Sequence, residues 1–211
     1  IEHIKVINGG TGYKYTTNTA TGGTTNTVEL RGASYPSFSG MPASTVADYY
    51  NTMTVTITSG PATGDTRTIT DYTVTDPNSN GNLVHRITVD TPFTTPPTDA
   101  SIYRIAPAIT ITPPTGFTGT AATALVLSVN QGTGAIESIY VSIPGTLYRG
   151  GTATVSATAG GINAELSVSI GPPGGHGSDA VSELGGVFVM MNTRLIGNED
   201  GIIPIDEDGD F

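Results

Sequence analysis

Apolar side chains recur at every second position through most of the chain, in runs rich in Val, Ile and Thr. A period of two sends alternate side chains to opposite faces, the pattern of a half-buried β-strand. It predicts strands over residues 1–7, 27–30, 53–58, 66–75, 83–90, 101–105, 108–112, 123–129, 136–143, 153–158, 164–170 and 187–195. Short clusters of Gly, Pro, Asn and Asp separate them, as in "SGPATGDTR" and "DPNSNGN". Gly60 and Gly64 suit a turn that needs positive φ. Such close spacing predicts an all-β fold of antiparallel sandwich or meander type, because βαβ units need helical crossovers. One segment breaks the pattern. "GSDAVSELGG" at 177–186 predicts one short helix near 179–185, capped by Ser178 or Asp179 and stopped by Gly185.

The pattern also repeats. "IEHIKVINGGTGY" at 1–13 returns as "IESIYVSIPGTLY" at 136–148, with Ile1, Glu2, Ile4, Val6, Gly10, Thr11 and Tyr13 matching Ile136, Glu137, Ile139, Val141, Gly145, Thr146 and Tyr148. After Tyr148 another strand follows within a few residues, whereas the matching strand after Tyr13 begins at Pro107. The expected organisation is a discontinuous β host built from repeats, residues 1–25 plus 107–172, with residues 26–106 inserted at a loop tip. Five strands in the insert predict a small closed barrel, which leaves no exposed edge. Residues 173–211 hold the short helix, a strand and an acidic end.

Length and charge narrow the function. At 211 residues the chain is long enough to bury a real core. Lys plus Arg total 8 against 18 Asp plus Glu, a net charge of -10, which repels nucleic acid phosphates and anionic lipid heads. Neither nucleic acid nor membrane is an expected partner, and no signal peptide is seen. Cys is absent, excluding disulfides and thiolate metal sites. With no initiator Met and a stop just after an acidic stretch, the chain reads as a fragment of a longer polypeptide.

Candidate chemistry is sparse. His3 and His85 read as surface residues beside Glu2 and Arg86. His176, in "PPGGHGSD", has Asp179 and Glu183 nearby, a set that could form an acid/base pair or a metal site; a backbone contact in a Gly-rich turn, or a subunit contact, is the favoured reading. Asp206, Asp208 and Asp210 alternate around Gly209 like half of a calcium loop, but no further carboxylate follows to complete one. No nucleophile elbow, phosphate loop or dinucleotide fingerprint occurs, so no cofactor is expected.

The stretch "MTVTITSGPATGDTRTITDYTV…ITVDTPFTTPPTDASIYRI" resembles a small β module of bacteriophage tail and baseplate proteins, through Thr58, Ser59, Gly60, Gly64, Thr66, Arg67, Ile69, Asp99, Ser101, Tyr103 and Ile105, with the module's Pro displaced to Pro97. The Gly-x-x-Tyr repeats resemble structural proteins of tailed phages, cyanophages especially. "GPPGGHGSDAVSELGGVFVMMNTRL" is similar to baseplate wedge proteins of T4-like contractile-tailed phages. The resemblance implies a non-enzymatic virion component, extracellular within the particle, present in many copies or as a homo-oligomer and bound to other tail or baseplate proteins. Expected contact residues lie in loops taken as exposed: Tyr49, Tyr50, Phe93, Phe117, His176, Asp179 and Glu183. Met190 and Met191 are expected to be part core and part contact. Competing expectations are a receptor- or glycan-binding fibre domain, a glycan depolymerase and a bacterial surface filament protein.

Overall fold

Runs of Thr, Val and Ile form strands wherever the period-two pattern is sustained. The computed structural model describes residues 1–33, 41–78, 81–156 and 160–172. Among them are thirteen strands, all paired antiparallel, and no helix. They are β1 (His3–Thr11), β2 (Thr16–Thr19), β3 (Gly22–Thr24), β4 (Thr27–Leu30), β5 (Thr54–Ser59), β6 (Thr66–Thr75), β7 (Val84–Val89), β8 (Ile102–Ala106), β9 (Ile109–Thr112), β10 (Thr123–Val129), β11 (Ile136–Ile143), β12 (Thr152–Val155) and β13 (Ile162–Ser169). The expected helix near 179–185 and the strand over 187–195 lie outside the described residues. The chain divides into two compact units, Ile1–Ile170 and Gly171–Phe211, and the description below concerns the first.

Residues 16–106 supply one seven-stranded sheet in the order β2-β8-β5-β6-β7-β4-β3. Its two outermost strands are successive pieces of one stretch, separated only by Ala20 and Thr21. The Ala20 amide donates to Ser101 O at 2.8 Å on one edge, and the Thr21 amide donates to Glu29 O at 2.9 Å on the other. The expected five-stranded closed barrel is not detected among the described residues: the sheet has seven strands, takes in β2 and β3 upstream of residue 26, and has both its edges on one continuous stretch. Inside lie Val28, Leu30, Val55, Ile57, Ile69, Tyr72, Ile87, Val89, Tyr103 and Ile105. In β6 the register slips between Ile69 and Asp71, a bulge that turns both Ile69 and Tyr72 inward although they are three residues apart.

The remaining strands form three two-stranded ladders, β1–β13, β10–β11 and β9–β12. Here the sequence echo becomes geometry. Ile1, Ile4 and Tyr13 are buried, as are Ile136, Ile139 and Tyr148. Gly10 and Gly145 have φ of 65° and 67°. A Cβ on either would sit 2.9 Å or 2.7 Å from the ring of the tyrosine three residues on. Ile4 pairs with Val168 and Val6 with Leu166; in the sister ladder Ile139 pairs with Val126 and Val141 with Ala124. The Ile1 nitrogen donates to Pro144 O at 2.6 Å, while Gly9, the counterpart of Pro144, packs on the Ile136 backbone. β1 and β11 thus meet about a local two-fold relation. Thr16 pairs with Ile105, so the two ends of the seven-stranded sheet's chain leave side by side.

Candidate interaction surface

Asp65, Arg67, Ser101 and Gly60 hold the seven-stranded sheet's turns together. The Asp65 carboxylate accepts from the Thr94 amide (2.6 Å) and hydroxyl (2.9 Å) and pairs with Arg67 at 3.2 Å. Burial pushes the Asp65 carboxyl up, but the Thr94 and Arg67 contacts outweigh it and hold the group below its ordinary range. Arg67 donates from Nε to Pro92 O at 3.0 Å and lies over the Phe93 ring. Ser101, fully buried, donates to Pro61 O at 2.9 Å. Gly60, at φ 81°, lets the Ala100 carbonyl approach a space that a side chain would fill. These residues staple loops to strands through bonds to backbone and to one another.

A second cluster gathers tyrosines over the sheet. Tyr49 meets Tyr50 edge-on at 5.0 Å, and Tyr50 meets Tyr72 at 4.8 Å. Lys14 lies over the Tyr49 ring and donates to Tyr49 O at 3.0 Å. The Tyr72 hydroxyl donates to Ser44 O, and His85 Nδ1 lies 2.9 Å from that hydroxyl and 3.1 Å from the same carbonyl. A carbonyl only accepts, so Nδ1 carries the proton in the neutral ring. Burial holds His85 below its ordinary pKa, and it pushes Tyr50 up to about 12 and Tyr72 higher still. His85 is thus a core residue and not the surface residue expected. It shares parity along β7 with Ile87 and Val89, and all three point inward.

The expected contact residues divide. Tyr50 and Phe93 are buried at 2% and 3% exposure, so their rings serve the core. Tyr49 is half-buried, and so is Phe117, whose ring packs 4.6 Å from Tyr148. His176, Asp179, Glu183, Met190, Met191, Asp206, Asp208 and Asp210 lie outside the described residues. Among the described residues no group of three or more His, Asp or Glu is placed to hold a metal ion, and no helix is long and apolar enough to cross a membrane.

What the loop-based expectation missed lies on strands. The outer face of β10–β11 carries Leu125 opposite Tyr140 and Thr123 opposite Ile143. Tyr140 is 55% exposed and Ile143 54%; Leu127 and Leu147 are exposed nearby. The equivalent pairs on β13–β1 are Ser167 opposite Lys5 and Glu165 opposite Asn8. One ladder is polar outside and the other apolar, on the same backbone plan. Ile7, standing where Ser142 does, and Ile162, opposite Thr11 at the ladder's far end, are exceptions. The signal was available in the aligned repeats, where Lys5 answers Tyr140 and Asn8 answers Ile143. No protein-family model, curated protein or solved structure matches this chain.

Proposed function

We propose that this chain is a structural component of a bacteriophage particle, in the tail or baseplate, working through contacts with other subunits. The observation that carries the reading is the apolar outer face of β10–β11. Its sister ladder adopts the same pairing with polar residues at the same places, so the fold does not require Leu125, Tyr140 or Ile143 to be apolar. Surface apolar groups beyond what folding needs point to a covered surface. Burying a Tyr or Ile side chain contributes roughly 1.5–3 kcal/mol before ordering costs. The resemblance of the residue 58–105 signature to phage tail modules supplies the kind of particle. The β1 and β9–β13 ladders act as a host of two related units, and the seven-stranded sheet acts as a stiff guest set into the connection after Tyr13.

The test exchanges the face for its sister's residues. Phage particles would carry the double variant Tyr140→Lys with Ile143→Asn. The variant chain keeps its unfolding free energy within about 1 kcal/mol, because both side chains are solvent-facing. Its incorporation into purified particles, read by mass spectrometry, falls at least about tenfold, the equivalent of roughly 1.4 kcal/mol. Normal incorporation of a folded variant would remove the face from the assembly.

A further inference from the structure

The residue after each buried tyrosine of the repeat is a cation, and the two cations have different surroundings. Tyr13 is followed by Lys14, and Tyr148 by Arg149. Lys14 meets a loop of the seven-stranded sheet: its ammonium lies 4.2 Å from the centre of the Tyr49 ring and donates to Tyr49 O at 3.0 Å. Arg149 is exposed, and among the described residues it has no hydrogen bond, ion pair or ring contact. Gly150 follows it where Tyr15 follows Lys14, and a Cβ there would meet nothing within 4 Å. Tyr15, by contrast, reaches Leu127 O with its hydroxyl. The position before the tyrosine differs too. Gly12 has φ 76° and Leu147 φ 60°. Glycine enters that left-handed region freely, whereas leucine is strained in it. Leu147 is nonetheless 70% exposed, so burial within the described chain does not offset the strain.

We infer that Arg149 and Leu147 form a docking point for a protein partner that presents an aromatic ring beside a free backbone carbonyl, as Tyr49 does to Lys14. The two copies share their strand pairing, the tyrosine socket and the local two-fold relation, so Arg149 stands on the second copy where Lys14 stands on the first. A guanidinium suits the same two ligands: its planar face stacks on a ring while its N–H groups reach a carbonyl. The chain has 18 acidic side chains against 8 basic ones, yet Arg149 is paired with no carboxylate among the described residues. Leu147 adds apolar area that a partner can bury, and strain kept at an exposed residue is a mark of use. Leu147 also follows closely on the exposed Ile143 of the β10–β11 face. The docking point therefore deepens the subunit-contact reading, on which it rests, by naming part of what the partner carries.

The test uses the folded full-length chain. Its probe is a blocked peptide of residues 47–51, which carries Tyr49 and Tyr50; the control peptide has Ala at both places and keeps Asp48. Amide shifts in NMR spectra locate the binding. The tyrosine peptide is expected to shift the Gly145–Gly151 amides saturably, with at least about threefold weaker affinity for Arg149→Gln and for Leu147→Gly. Lys5→Gln, which removes an exposed cation from β1, leaves the affinity unchanged. Leu147→Gly places the sister residue in the same backbone, so its urea midpoint is held or raised while binding falls, which a loss of structure could not produce. Absence of a saturable shift at Gly145–Gly151, equal binding of the alanine peptide, or unchanged affinity in the Arg149→Gln chain overturns the inference. The peptide binds or fails on the isolated chain, so its outcome is separate from particle incorporation of the Tyr140 and Ile143 variant.

Discussion

Gly10 and Gly145 show at residue scale why the repeat is spelled as it is. Both occupy the left-handed region, where a Cβ crowds the chain's own carbonyl, and both leave that space to a tyrosine ring and a neighbouring backbone. Alanine at Gly145 adds positive-φ strain to overlap with Thr120 O, the Ala122 amide and the Tyr148 ring. The Tyr148 hydroxyl also accepts from the Ala122 amide at 3.0 Å, so moving the ring costs a buried hydrogen bond. Gly145→Ala is expected to destabilise the chain by about 2–4 kcal/mol. Gly64→Ala provides the control: its φ is 91°, but nothing lies within 4 Å of the added Cβ, so only about 1–2 kcal/mol is expected. Urea unfolding of the two variants checks the ordering. Equal losses would mean that the ring socket contributes nothing.

At the scale of elements, the stretch from Met41 to Met53 bonds the sheet at several points. Among them are the Asp48 amide on Tyr72 O and the Thr52 amide on Ile69 O, and its Ser44 carbonyl reaches the buried Tyr72 and His85. Ser44 O accepts from Tyr72 and His85, and the Ser44 amide donates to the Tyr50 hydroxyl at 3.1 Å. Protonation would add a second N–H on the His85 side that faces Gly32. Burial lowers the folded pKa below the ordinary 6.5, so the folded chain binds fewer protons than the unfolded one near that pH. The stability carried by the neutral ring is complete above about pH 6.5 and is lost as the pH falls through and below it. The urea midpoint should drop between pH 7.5 and 5.5, and His85→Gln should flatten that slope whatever its overall stability; identical slopes would exclude His85 as the cause. Elements were legible where alternation was sustained: β6, β10 and β11 have the bounds that the pattern predicts. β2 and β3, "TTNT" and "GGT", carry no large apolar side chain. Their pairing comes from position at the sheet's edges and leaves no periodic trace. The β6 bulge is hidden for a similar reason, since Thr70 looks like any other strand residue until its partner is known. Tyr50 and Phe93 were misplaced because aromatics in loops read as contacts when the sheet they fold over is not yet visible.

At the scale of the whole molecule, the seven-stranded sheet and the three ladders differ in how they are joined to the chain. After Tyr148 the path to β12 is Arg149–Gly151, while the path from Tyr13 to β9 contains the entire sheet. Thr16 and Ile105 pair, and Thr54 pairs with Ala106, so residues 16–106 start and finish at one place. If residues 14–106 are an insertion, their removal leaves two attachment points close, and their own sheet keeps both edges joined through Ala20–Thr21. A chain in which residues 14–106 are replaced by a short glycine link should therefore fold with β1–β13 and β10–β11 intact. A separate chain of residues 14–107 should fold as the sheet. Hydrogen exchange reads both, through protection of the Gly12 and Tyr13 amides, which donate to Thr133 O and Gly134 O, and of the Ile69 amide, which donates to Met53 O. The contacts that would be lost include the Tyr15 hydroxyl on Leu127 O at 3.3 Å and the approach of β8 to β10. If either piece lost protection throughout while the full chain kept it, guest and host would share one cooperative core, and insertion at a hairpin tip would be the wrong account of the repeat.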